Sequence, residues 1–320
     1  MKRQLICLAA AWLVACSGKP FEGPLPAAAG AAGAEPGSSG AGGVSGSGGV
    51  ATSASGGMSF GAGAGGGGAG TGGGSAGTGG CSSGADCDTG VCSAGACVMV
   101  RSCLQIQQES GKLANGAYRV DVDDSGPLKP ILAQCDFAAE DGGWTLVLDY
   151  VHRAGTNPPL SPLAARLPLS KPTSKLGDDE SGDAESWGHA APALLTHLPF
   201  AETRWYARTS AHTRVVHFRN DSTVLVAYLK SGKGGICAKT DEVFAETHSQ
   251  PCADHSAHLP QSTTSLALGS CDRGDQALTE FPFFTKAEAH WGIRGEGARW
   301  EADDSLAGDA NDTIHRVWVR

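Results

Sequence analysis

Apolar and polar positions alternate along several short stretches in the second half of this 320-residue chain. Tyr118, Val120 and Val122 are separated by Arg119 and Asp121, the period-two pattern of a half-buried strand. Thr203 to Thr209, Arg214 to Arg219, Thr223 to Leu229 and Ile314 to Val319 read as strands in the same way. From Trp144 to Val151 β-branched, aromatic and aliphatic residues dominate, which predicts a buried strand. One helix is predicted from His189 to Leu198, with Pro192 in its first turn and Leu194, Leu195 and Leu198 on one face. Ala154 to Asp183 is rich in Pro, Ser, Lys and Asp and reads as a long loop. Loops of that length in a compact domain are uncommon and are often functional. The predicted class is therefore α+β, rich in strand.

The first half has a different character. Lys2-Arg3 and an apolar run from Leu5 to Ala15 form a secretory signal, too short for a stable membrane span. The run ends in Leu13-Val14-Ala15-Cys16, which resembles the lipobox of bacterial lipoproteins. That resemblance implies a signal peptide over 1–16 and a lipid on Cys16. Ser17 at the next position implies sorting to the outer membrane, with the head facing the periplasm or the cell surface. Residues 17–80 hold more than half of the chain's 47 glycines and three charges, Lys19, Glu22 and Glu35. Such a segment buries too little apolar surface to offset its ordering entropy, so it is expected to be a disordered tether. Its mean reach would be on the order of 45 Å.

Residues 81–100 are expected to form a small disulfide module. Cys81, Cys87, Cys92 and Cys97 lie close together among glycines, which in an oxidising compartment points to two disulfides. A tetrahedral metal site would usually use Cys-x2-Cys pairs, and none is present. Three pairings are open. The remaining span, 102–320, is long enough for one sizeable domain, and it carries the whole net charge of −9. That balance argues against nucleic acid and anionic membrane as partners, and leaves the lipid as the only membrane attachment.

Within that span, Ser102-Cys103-Leu104 opens a stretch that closes at Cys135-Asp136, and Asp141-Gly142-Gly143-Trp144-Thr145 follows. Together these residues resemble the start of a fibrinogen C-terminal-like domain, and most closely the bacterial fibrinogen-like YCDxxxxGGGW group related to the intelectins. Gln134 stands where that pattern has Tyr, and Asp141 where it has its first Gly. The resemblance implies a fibrinogen-like globular fold over 102–320, a Cys103–Cys135 disulfide, and a non-enzymatic domain that binds a ligand with calcium beside it. Of the other cysteines, Cys237 and Cys252 make the shorter closure and are expected to pair, leaving Cys271 free or paired elsewhere.

Candidate chemistry is concentrated near the C-terminus. Asp303, Asp304, Asp309 and Asp312, with Glu301 and Asn311 beside them, supply the hard oxygens that calcium needs; a solvated acidic turn is the alternative. Trp291 and Trp300 flank Gly292, Gly295 and Gly297 and are candidates for an aromatic wall beside the cation. A cation chelating vicinal hydroxyls next to an aromatic face would bind carbohydrate. The second acidic run, Asp178 to Glu185, reads as loop solvation, Arg273-Gly274-Asp275 as a turn, and His248, Cys252, His255 and His258 as a weaker zinc candidate. No nucleophile elbow, His-Glu-x-x-His motif or phosphate loop occurs. The sequence thus points to a lipid-anchored recognition protein for carbohydrate or another surface ligand, or alternatively to a structural adhesion protein of the envelope that makes protein contacts.

Overall fold

The C-terminal strand, Thr313–Val319, lies at the centre of the main sheet, between Thr203–Thr209 on one side and Trp144–His152 on the other. The computed structural model describes residues 80–82, 87, 90–111, 113–260, 277–279, 283–285, 289–294, 299–303 and 308–320. The expected signal, Cys16 and most of the glycine-rich stretch lie outside them. Along the chain, the first elements are β1 (Val91–Ser93), β2 (Ala96–Val98), α1 (Cys103–Ser110), β3 (Gly116–Val120), β4 (Ile131–Asp136) and β5 (Trp144–His152). Then come β6 (Pro162–Leu163), β7 (Gly188–Ala190), α2 (Pro192–Leu195), β8 (Thr203–Thr209), β9 (Val216–Asn220), α3 (Thr223–Ser231) and α4 (Thr240–Val243). The last are β10 (Ser249–Pro251), β11 (Phe283–Thr285), β12 (Ala289–Arg294), β13 (Arg299–Asp303) and β14 (Thr313–Val319). The class is α+β and rich in strand.

The main sheet runs β10-β9-β8-β14-β5-β4-β3, with β6 and β7 attached beside β5. Every residue of β5 is buried, because the sheet is covered on both faces there. On one face Trp205 meets Trp291 edge-on at 4.7 Å, and His152 stacks on Trp300 at 4.3 Å. These contacts pack the three-stranded sheet β11-β12-β13 against the main one. On the other face Arg204 lies over the rings of Trp144 and Trp318, at 4.9 and 4.2 Å.

The glycine pair before Trp144 has a specific steric cause. Glu140, Asp141, Gly142 and Gly143 all have positive φ, so the chain runs left-handed for four residues before entering β5. A Cβ on Gly142 would fall 2.6 Å from the Phe137 carbonyl oxygen, and one on Gly143 would fall 3.0 Å from the Leu104 backbone in α1. Glycine is needed because α1 sits directly on this turn. Asp141 occupies a left-handed position that short polar residues tolerate, and its carbonyl accepts from Gln107 Nε2 at 2.9 Å.

Two expected elements differ. Thr223–Ser231 is a helix and not a strand: Leu225, Tyr228 and Leu229 recur at three- and four-residue spacing on the buried face, and left-handed Gly232 caps the end. Conversely, the helix expected from His189 shrinks to the single turn α2, because Gly188–Ala190 is drawn into the sheet beside β5.

Candidate functional site

The long loop expected over Ala154 to Asp183 walls a cleft of about 340 Å³. One arm contributes Pro159, Leu160, Ser161 and Arg166, and the other Ser181, Asp183 and Trp187. Both arms are held by hydrogen bonds to the sheet and to each other. Ser161 N donates to the Tyr150 hydroxyl at 3.0 Å, and the Ser161 carbonyl accepts from His189 N at 3.0 Å. The Trp187 indole donates to the Pro159 carbonyl at 2.9 Å, and Leu169 N donates to the Glu185 carbonyl at 3.0 Å.

The acidic run Asp178 to Glu185 shapes the second arm. Asp178 accepts from Lys175 N at 2.7 Å, and Asp179 accepts from Ser181 N at 2.9 Å. Asp183 accepts from Glu185 N and Ser186 N at 2.8 and 3.2 Å, and pairs with Lys171 at 2.6 Å. The Lys171 bond, and after it the backbone bonds from Glu185 and Ser186, hold the Asp183 carboxyl below the usual carboxylate range. These carboxylates organise the backbone, as Asx turns do. The cleft is therefore built into the fold: its walls need little ordering when a ligand enters.

Beneath the same loop lies a buried ionic pair. Asp149 of β5 accepts from Arg316 Nε of β14 at 2.9 Å and has almost no exposure. Glu180, bonded to the Ser174 hydroxyl, is tied to β5 through its own N–H and the Val151 carbonyl at 3.1 Å. Burial pushes the Asp149 carboxyl up to about 6; Arg316 opposes the rise and Glu180 adds to it. Because this value lies above the ordinary 3.8, the group's contribution to stability is complete below about pH 4 and is lost as pH rises through about 6. Comparing the protein with Asp149→Asn by urea unfolding at pH 4 and pH 7 should reveal the loss. The wild type should weaken relative to the variant by on the order of 3 kcal/mol between the two values. A pH-independent difference would refute the assignment.

The carboxylates expected to hold calcium do not converge. Asp303 is buried and committed to Arg214, with which it forms a short ion pair, and to His212 at 3.3 Å. Asp312 accepts from Ala154 N at 2.8 Å, and Asp309 is exposed, its carbonyl accepting from Gly155 N at 2.7 Å. Asp304 lies outside the described residues. Among those described, only Cys81, Cys87 and Cys97 bring three ligand-type atoms within 4.8 Å, and all three are in disulfides. The described residues thus fit structural ion pairing rather than a calcium cage. The zinc candidate is likewise dispersed, with His248 paired to Asp221 at 2.6 Å and the His255 ring accepting from His217 N at 2.8 Å.

Trp291 and Trp300 are core residues, 0% and 1% exposed, and not a ligand wall. Trp291 donates to the Tyr206 carbonyl at 3.2 Å, and Trp300 is packed between His152, Tyr150 and Trp187. Trp187, beside them, lines the cleft but is itself mostly buried, at 4% exposure. Sequence reasoning did not single out Arg166; the length of the loop was the only signal of the cleft.

The disulfides are Cys81–Cys92, Cys87–Cys97 and Cys103–Cys135. The expected Cys237–Cys252 bond is not formed. Cys252 carries a free, buried thiol just beyond β10, where burial, and secondarily Glu140, push it up to about 12. Its neighbours there are ionic groups, Glu140, Arg204 and Arg219. Cys237 sits on the turn Ile236–Lys239 with only its backbone described, and Cys271 and the Arg273-Gly274-Asp275 turn lie outside the described residues.

No protein-family model and no curated protein matches the chain. Among solved structures it is similar to the fibrinogen-like globe domain of human ANGPTL6, at 13% identity, covering 69% of this chain and 95% of that one with a TM-score of 0.29. A score that low sets no correspondence between individual positions, and the cleft stands on its own geometry.

Proposed function

We propose that this chain is a bacterial lipoprotein that carries a fibrinogen-like recognition head at the outer membrane and binds carbohydrate or another surface ligand without transforming it. In this reading Cys16 carries the lipid, 17–80 is the tether, 81–100 is a stapled spacer and 102–320 is the head. The observation that carries it is the preformed cleft between the arms of the loop, with apolar and hydrogen-bonding side chains side by side. That mixture suits a sugar, whose C–H face packs on apolar surface while its hydroxyls find polar partners. A tether supports the same reading, since a mobile head searches a wide volume near its membrane.

A glycan array probed with the full-length chain tests this. Specific hits are expected, and Gly182→Phe should remove them. Gly182 lies at the cleft with nothing within 4 Å of an added Cβ, so the new ring blocks the site without disturbing the core. An array without hits, or hits indifferent to the blocking substitution, would favour a structural adhesion protein that acts through protein contacts.

A further inference from the structure

We infer that the cleft selects saccharides that carry a carboxylate, uronic acids being the simplest class, and that Arg166 is the residue that reads the acid. This deepens the proposal above and rests on it. Arg166 is half-buried on the first arm and lines the cleft. Among the described residues its only hydrogen bond is long, from Nη1 to the Glu185 carbonyl at 3.4 Å, and it makes no ion pair. A guanidinium presents five donors in a planar fork that matches a carboxylate in a bidentate pair. Most of that fork is uncommitted here.

Its surroundings favour an incoming anion over an internal one. The carboxylate across the cleft, Asp183, is already matched by Lys171 at 2.6 Å and by two backbone N–H groups. Ser161 and Ser181 line the cleft beside it, and Pro159 and Leu160 supply apolar surface next to the largely buried Trp187. A ring with hydroxyls, a C–H face and one carboxylate uses all of these; a neutral sugar leaves Arg166 unmatched. The volume of about 340 Å³ is at the small end for ligand pockets and suits the terminal unit of a chain. The chain's net charge of −9 repels anions in general, so retention of an acid requires this local cation.

Titration calorimetry with the full-length chain distinguishes the possibilities, using trigalacturonate, its carboxyl-reduced neutral counterpart, and citrate as a small anion. The wild type should bind trigalacturonate about tenfold or more tightly than the reduced form, as a charge-assisted pair provides. Citrate should not compete at equal concentration. Arg166→Gln should bind both saccharides equally, and Gly182→Phe neither. Equal wild-type affinities, a preference that survives Arg166→Gln, or effective competition by citrate would each overturn the inference. In those cases loss of array binding in Gly182→Phe would leave the recognition reading intact. Array hits confined to neutral glycans would also sink the acid selectivity alone, whereas an array without any hit would remove both.

Discussion

Asp136→Asn should lower the melting temperature of the head by about 10 °C, from a loss of roughly 3–5 kcal/mol. Arg204 is 1% exposed, and among the described residues its only anionic hydrogen-bond partner is Asp136, with Nη2 to Oδ2 at 2.7 Å. Its Nε and Nη1 have no hydrogen-bond partner among the described residues, and the rings of Trp144 and Trp318 lie against it. An amide at 136 still accepts from Ala138 N and Ala139 N, as Oδ1 now does at 3.1 Å for each. What the substitution removes is the charge, and a buried guanidinium left without its anion costs far more than an exposed pair is worth. Burial pushes the Asp136 carboxyl up, but Arg204 and the two backbone bonds outweigh it and hold the group below its ordinary value. The contribution is therefore present above about pH 4 and disappears as pH falls through the lowered value. Adding Arg204→Met to Asp136→Asn should recover part of the loss, because the stranded charge goes too. Thermal melts of the single and double variants decide: a single-variant shift within about 2 °C, or a double variant that is worse than additive, would show that the pair does not carry this weight.

Removing Cys103 and Cys135 together, as Ala, should cost about 4 kcal/mol by the loop-closure argument for a sequence separation of 32. The bond ties the first residue of α1 to β4, and Cys103 N also donates to the Thr145 hydroxyl at 3.2 Å. Helix α1 is short and contributes Ile106 to the core, so its position depends on that covalent tie. Hydrogen exchange should therefore quicken first at α1 and at the turn before Trp144, where Leu104 and Gln107 pack on Gly143. Unchanged stability in the double variant, measured by denaturant unfolding with the Cys81–Cys92 and Cys87–Cys97 bonds intact, would rule the staple out.

Where a strand presents alternating faces to one core, its own residues revealed it. Thr203–Thr209 and the C-terminal strand were legible for that reason, as was β5, whose run of apolar residues records burial on both sides. Thr223–Ser231 misled because its β-branched residues favour a strand, while the three- and four-residue spacing of Leu225, Tyr228 and Leu229 follows a helix face. The cleft was visible only as an unusually long loop. Its walls depend on the indole of Trp187 reaching Pro159 and on the Tyr150 hydroxyl reaching Ser161, contacts between residues far apart in the chain.

The residues alone determined the β-rich class and the clustering of cysteines, since each follows from local periodicity or composition. Packing alone decided that Trp291 and Trp300 belong to the core, that Asp303 answers Arg214, that Cys252 keeps its thiol, and that Arg166 lines the cleft while the Asp183 carboxylate there pairs with Lys171. An ionic or aromatic side chain has no fixed role until the partners that desolvate it arrive, and those partners come from distant strands that only the folded sheet brings together.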